Sequence, residues 1–302
     1  MAAPISVVVE RGGVVEAVHR VHAVAVRDGD AVEAAGDPAL VTLMRSAAKP
    51  LQALPLAREV SDLPAEELAI ACASHEAIDE QLAVVRALLA RSGSGGDELE
   101  CGEEGGSKLA HNCSGKHAGM LLRSKLHGWP LPGYRLPEHP LQQDLRRVVA
   151  SAVGEPEEGL PTATDGCGVV TFAVALAAMA SAFSRLVRGE LGGADRVVEA
   201  MRMHPNLVGG PKAADTALMR ALPATIAKRG AEGLLCAGLP DGTGVALKVE
   251  DGANRAAGPA LAHFLGVDSL REEPIVNSRC EEVGRVFPRS SEKRIPVFPK
   301  RV

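Results

Sequence analysis

Over the first fifty residues apolar and polar positions alternate in short β-branched runs, at 5–10, 17–26 and 40–43, punctuated by Gly12, Gly13, Gly29 and Gly36. A period of two with glycine breaks predicts three or four antiparallel strands. From Asp62 the period lengthens. An N-cap residue at Asp62, Pro64 near the first turn and apolar spacing through Leu68, Ala69 and Cys72 predict a helix that stops near Ser74. A second helix is expected over 78–91, with Leu82, Val85, Leu88 and Leu89 on one face, running into a Gly-, Ser- and acid-rich surface loop at 92–107. Helical spacing recurs at 140–153, 169–185, 194–204, 213–228 and 253–265. Strand patterns return at 234–237, 245–249 and 295–298. Strands at both ends and helices between them predict an α/β protein with one antiparallel sheet built from both chain ends and a largely helical central lobe. No repeat of fixed period is visible, so residues 1–302 are expected to form one intertwined unit with two lobes.

Composition narrows the functional classes. A chain of 302 residues with 46% hydrophobic content buries a sizeable core. Its aromatic share of 2% leaves no platform for stacking bases. Lys and Arg are dispersed and the formal net charge is -5, so no basic stripe invites a phosphate backbone and nucleic acid is not expected as a partner. The opening MAAPISVVVERGG has neither a basic n-region nor a small-residue cleavage pattern, and a cytoplasmic protein is expected. The most apolar stretch, 168–184, is about 17 residues of mostly small side chains, at the lower limit for a membrane span. A buried helix is the expected reading, with no membrane association. Six cysteines in a cytosolic chain are expected as thiols, for metal binding or packing, and not as disulfides.

Three segments carry candidate chemistry. In Arg45-Ser46-Ala47-Ala48-Lys49-Pro50, helical i, i+3 spacing sets the Ser46 hydroxyl and the Lys49 amine on one face. A neutral amine can take the proton that makes serine a nucleophile, and Arg45 contributes positive charge that helps keep it neutral. The same spacing also suits a solvated helix face. Ala73-Ser74-His75 interrupts an apolar helix with polar groups; Ser74 reads equally as a second site hydroxyl and as a helix cap. His111-Asn112-Cys113-Ser114-Gly115-Lys116-His117 with Asp165-Gly166-Cys167-Gly168 offers soft thiolate ligands suited to zinc. His117 is the conventional nitrogen donor and Lys116 the unconventional one, since an amine must lose its proton to ligate. Two buried free cysteines are the simpler alternative. Lys248, in an otherwise apolar strand, reads as a solvent-face residue or as a base aimed into a site.

Taken in order, these motifs resemble the L-asparaginase II family, the rhizobial-type or class 3 L-asparaginases. The resemblance runs through Arg11-Gly12-Gly13, residues 16–19, Arg45 to Gln52, Ala73-Ser74-His75, residues 99–102, Asn112 to His117, His139-Pro140, Asp165 to Gly168 and Leu247-Lys248. It implies a fold similar to serine β-lactamases and glutaminases, and a homodimer. It implies hydrolysis of L-asparagine to L-aspartate and ammonia by two Ser-Lys pairs, Ser46 with Lys49 and Ser74 with Lys248. It also implies zinc held by Cys113, Lys116 and Cys167 in place of His117, with Arg45, His117 and Asp165 as substrate-side residues. The sequence departs from the family pattern at Val170 for proline, at Lys212-Ala213 for arginine and at Cys280 for glycine.

The expected reaction is attack by Ser46 on the side-chain amide, with its own backbone amide as one oxyanion donor, loss of ammonia, and hydrolysis of the acyl-enzyme. Glutamine, one methylene longer, is the nearest alternative substrate. Penicillin-recognising enzymes carry Ser-Asp-Asn and Lys-Thr-Gly motifs, and neither occurs in this chain. A zinc-stabilised binding protein without turnover is the remaining alternative, and it requires a closed four-ligand site.

Overall fold

The computed structural model describes residues 2–289. Eleven strands are formed: β1 (Ile5–Arg11), β2 (Val14–Arg27), β3 (Asp30–Ala35), β4 (Val41–Leu43), β5 (Thr162–Thr164), β6 (Val170–Ala175), β7 (Ile226–Gly230), β8 (Leu234–Gly238), β9 (Gly244–Val249), β10 (Glu273–Val276) and β11 (Glu282–Pro288). Between and around them lie α1 (Lys49–Gln52), α2 (Leu54–Glu59), α3 (Ala65–Ala71), α4 (Asp79–Ser92), α5 (Ser114–Leu126), α6 (Pro140–Val153), α7 (Leu176–Val187), α8 (Ala194–Met203), α9 (Pro205–Gly209), α10 (Ala214–Ala221) and α11 (Ala257–Leu265).

The main sheet has eight strands in the order β10-β11-β1-β2-β9-β8-β7, with β3 also paired to β2, and every pair is antiparallel. Both chain ends therefore build it, as the strand pattern implied. The long strand β2 is shared: its first half pairs with β1 and its second half with β3 and β9. Consecutive residues Ala23, Val24, Ala25 and Val26 are all buried, so this part of the sheet is covered on both faces. Helix α7 packs closely on β9 and β8: a Cβ on Gly244 would stand 1.9 Å from the Ala180 carbonyl oxygen, an approach only glycine permits. Helix α11 also packs on β8, β9 and β11. A second sheet, β4-β6-β5, is small and carries the chain into the helical part.

Two sequence readings change. Residues 169–185 are not one helix; β6 comes first, because Val170-Thr171-Phe172-Ala173-Val174 is β-branched and pairs with β4 and β5, and α7 follows. Likewise 213–228 splits into α10 and β7. Pro223 cannot continue the helix, Ala224 takes a positive φ of 64°, and the chain re-emerges as the edge strand of the main sheet. The strand expected at 295–298 lies outside the described residues. No helix among the described residues is long and apolar enough to cross a membrane.

Gly115 shows how tightly the helical part is fitted. It lies in the first turn of α5, where a Cβ would meet the Ile70 carbonyl oxygen of α3 at 2.2 Å. Elsewhere in a helix Gly→Ala is worth up to about 1 kcal/mol in the protein's favour. Here Gly115→Ala is expected to destabilise by about 1–3 kcal/mol, because backbone must move. A lowered denaturation midpoint checks this; an unchanged or raised one would show that α3 and α5 have room between them.

Candidate active site

The site forms where the edge strand β7 meets the short 3-10 helix Arg45–Ala48 and the segment after α3. Arg45 is held at a φ of 47°, a left-handed conformation unusual for a side chain of its size. Its surroundings fix it there. The Arg45 amide donates to Thr171 Oγ1 (3.0 Å), its Nε donates to Asp165 Oδ1 (2.6 Å), and the preceding Met44 amide donates to the Phe172 carbonyl (2.8 Å). Strand β6 and the loop before it thus pin the start of the turn that presents Ser46. Ser46 lines a cavity of about 540 Å³ together with Ser74, Asn112, Arg229 and Arg255.

Lys49 follows Ser46 by one turn and is fully buried. Its amine donates to Ser74 Oγ (3.0 Å) and to the Ala73 carbonyl. Ser74 is held by its backbone, whose N–H donates to Val208 O (2.9 Å) and whose carbonyl accepts from Arg229 Nη2 (2.9 Å). A second amine reaches the same hydroxyl: Lys228 Nζ lies 2.8 Å from Ser74 Oγ. One serine oxygen thus stands between two lysines, each buried to 0% exposure.

The lysine that serves Ser74 is therefore Lys228 and not Lys248. Lys248 sits on β9 opposite His22, and its amine donates to the Glu232 carbonyl (2.7 Å) and to the Val249 carbonyl. Its stem is partly buried, but its charge is spent on capping a turn. Lys228 is in the stronger electrostatic position. Burial pushes its pKa down to about 7, with Lys49 and Arg229 acting in the same direction and Asp215 Oδ2, 3.7 Å away, opposing them. Asp215 is itself fully buried and also accepts from the Arg229 amide (3.1 Å).

Cys113, Lys116 and Cys167 come together as well. Cys113 caps α5, Lys116 lies one turn on, and Cys167 arrives on the loop between β5 and β6. Lys116 Nζ is 3.0 Å from Cys167 Sγ. A hydrogen bond from Cys167 holds the Cys113 thiol well below its ordinary range and raises Cys167 in exchange, so the pair favours one thiolate. Burial opposes a charged Lys116, yet the neighbouring sulfurs raise its pKa. Among the described residues no three His, Cys, Asp or Glu side chains gather as a metal set. A zinc ion would fit here with the Lys116 amine as the third donor, which is the open three-ligand arrangement and not a closed structural site.

His117 stands apart. Fully buried, it takes a hydrogen bond on Nδ1 from the Tyr134 hydroxyl (2.7 Å), whose oxygen accepts the Glu100 amide. Burial keeps it neutral, its Nε2 has no partner among the described residues, and it does not line the cavity. Arg45 and Asp165 do not line it either; they pair with each other behind Ser46. None of the three residues expected on the substrate side therefore lines this cavity. His75 is also structural. Its Nδ1 accepts the Ala77 amide (3.1 Å) and its Nε2 donates to Ser114 Oγ (2.8 Å), while burial lowers its pKa to about 4.

The groups that sequence reasoning missed are Lys228, Arg229 and Asp215, all in or beside the segment read as one helix. Pro223 was the signal available. Of the three departures from the family pattern, Lys212 lines the cavity, Val170 opens β6, and Cys280 takes a φ of 62°, the left-handed conformation that a glycine adopts freely.

The family model described as L-asparaginase II matches residues 7–288, nearly the whole chain. No curated protein matches. Among solved structures, a β-lactamase from Mycobacterium bovis is similar over 76% of this chain and 86% of its own, at 15% identity and a TM-score of 0.40. With a match that takes in every strand of the main sheet and both serines, the chain belongs to the L-asparaginase II family of amidohydrolases.

Proposed function

We propose that the protein hydrolyses L-asparagine to L-aspartate and ammonia through an acyl-enzyme on Ser46. The observation that carries this reading is the Ser74 hydroxyl held between the amines of Lys49 and Lys228, on the wall of the cavity that exposes Ser46. An amine with a pKa of about 7 is neutral often enough at working pH to accept a proton. Ser46 Oγ attacks the amide carbon, and the Ser46 proton passes through the Ser74 hydroxyl to the lysines. It then goes to the departing nitrogen, which leaves as ammonia. Water cleaves the ester by the reverse relay and releases aspartate. The Ser46 backbone amide, in the first turn of its helix, meets the developing oxyanion. The rival assignment, in which Ser74 itself attacks, is weaker because the residue is only 6% exposed and its oxygen already holds both amines.

Zinc is proposed to bind Cys113, Lys116 and Cys167, where it would supply a fixed positive charge beside the pocket. Five buried free thiols, among them Cys113 and Cys167, favour a reducing, cytoplasmic setting. A homodimer is proposed from the family resemblance.

Ammonia release measured on L-asparagine and L-glutamine, with and without a chelator, tests the reading. Turnover of asparagine is expected, and a purified chain that releases ammonia from neither substrate would falsify it. Glutamine differs by one methylene, a discrimination of only about 1–3 kcal/mol in a pocket, so a weaker glutaminase activity is expected alongside. Cys167→Ser is expected to lose bound zinc, measured by elemental analysis, and to raise KM more than it lowers kcat. Stoichiometric zinc in that variant would remove Cys167 from the ligand set.

A further inference from the structure

Three cations line the cavity, Lys212, Arg229 and Arg255, and they differ in what already engages them. Arg229 is committed to the protein: its Nη2 donates to the carbonyls of Ser74 (2.9 Å) and Gly209 (3.1 Å), and its Nη1 faces Asp215 Oδ1 at 3.5 Å. Lys212 is exposed and its side chain makes no hydrogen bond or ion pair among the described residues. Arg255 is held at one point only. Its Nε donates to His19 Nε2 (3.0 Å), and it pairs with no carboxylate among the described residues.

The support behind Arg255 is built in depth. His19 lies on β2 and is 4% exposed; its Nδ1 is 2.6 Å from Asp251 Oδ2. An arginine Nε can only donate, so His19 Nε2 accepts, which leaves Nδ1 as the nitrogen that donates to Asp251. Asp251 Oδ1 in turn accepts the Ala253 amide (3.1 Å), in the turn that delivers Arg255 to the cavity. This chain fixes the plane of the guanidinium while neither of its Nη groups carries a hydrogen bond among the described residues. An end-on pair of N–H groups matches the two oxygens of a carboxylate. Glu273, on β10, lines the same cavity, and its side chain makes no hydrogen bond or ion pair among the described residues, so its carboxylate is free to accept an ammonium.

The structure assigns to Arg255 the binding of the α-carboxylate of a free amino acid, with His19 and Asp251 as positioning residues and Glu273 as acceptor of the α-ammonium. This deepens the amidohydrolase reading and rests on it. An amide inside a peptide chain lacks both charges, so the site takes amino-acid amides and not protein side chains.

Two measurements on the full chain test the assignment. The first compares kcat/KM for L-asparagine with that for β-alaninamide, which is asparagine without its α-carboxylate. Arg255→Met is expected to lower the value for asparagine on the order of 100-fold, chiefly through KM, and to leave β-alaninamide nearly unchanged. His19→Leu is expected to act in the same direction with a smaller effect, and Arg255→Lys to restore only part. The second is titration calorimetry with L-aspartate, which reads the subsite without turnover; Arg255→Met is expected to weaken binding by a similar factor. An Arg255→Met chain that binds aspartate as wild type does, or that loses both substrates equally, overturns the assignment. Absence of ammonia release from asparagine in the wild type, with arginine-dependent aspartate binding intact, instead overturns the proposed reaction and leaves the subsite standing.

Discussion

Replacing Ser46 by alanine is expected to lower kcat for ammonia release by about 10³- to 10⁶-fold, the range seen when a serine nucleophile is removed from an otherwise intact site. Stability is expected to change by no more than about 0.5 kcal/mol, since the Ser46 side chain is partly exposed at the cavity and makes no hydrogen bond among the described residues. That contrast separates a chemical role from a folding one. Ser74→Ala is also expected to impair turnover, by about 10²- to 10⁴-fold, because it removes the oxygen that joins Lys49 to Lys228. Kinetics of the two variants alone do not say which oxygen is acylated. Rapid acid quench during turnover, followed by peptide mass analysis, does: the aspartyl adduct is expected on the peptide carrying Ser46. An adduct on the Ser74 peptide would reverse the roles of the two serines.

The second large effect belongs to Lys228. Lys228→Met is expected to cut kcat/KM by about 10²- to 10⁴-fold and to abolish an acid limb in the pH profile. The sign follows from the lowered pKa. An amine that must accept a proton is inactive when charged, so wild-type activity rises with pH through about 7. Asp215 raises that pKa, so Asp215→Asn is expected to move the limb to lower pH. A limb that stays in place in both variants would assign it to another group. The same shift bears on stability. Between about 7 and the ordinary lysine value of 10.5 the unfolded chain holds a proton on Lys228 that the folded chain does not. Lys228 therefore makes the fold more stable as pH rises across that window and costs stability below it. Its burial is a stability cost near neutral pH, offset in part by Asp215.

How much of this was legible in the sequence depended on whether local pattern or tertiary placement decided each residue. The sheet from both ends was legible because β1, β2, β8 and β9 alternate or run apolar between glycines. Helix α6 was legible because Pro140 starts it and Gly154 stops it, and the observed bounds equal the expected ones. Ser46 stood out by its i, i+3 spacing to Lys49, Ser74 as a polar break in an apolar helix, and Cys113, Lys116 and Cys167 as candidate ligands; the structure sets both serines on the cavity wall and gathers the two cysteines and Lys116 beside one another. Lys228 did not stand out. In the run Thr225-Ile226-Ala227-Lys228-Arg229 two adjacent cations look like a solvated helix end, whereas the edge position of β7 turns Lys228 inward to Ser74 and Asp215. Lys248 drew attention because it interrupts an apolar strand, yet its amine donates to the backbone carbonyls of Glu232 and Val249 and not to Ser74. Which face of a strand meets the serines is set by register with β8, a non-local property that no window of sequence contains. The Asp251, His19 and Arg255 chain was hidden for the same reason, since its first and last members are joined only when β2 pairs with β9.

That pairing also bears on how the chain is made. Strands β1 and β2 leave the ribosome first, but their sheet partners β9 and β11 follow roughly two hundred residues later. At ordinary elongation rates the first hairpin waits on the order of ten seconds or more with its β-branched edges unpaired. A nascent chain in that state is an open template for other strands, so the yield of active protein in a cell depends on what shields that hairpin until the last fifth of the chain arrives.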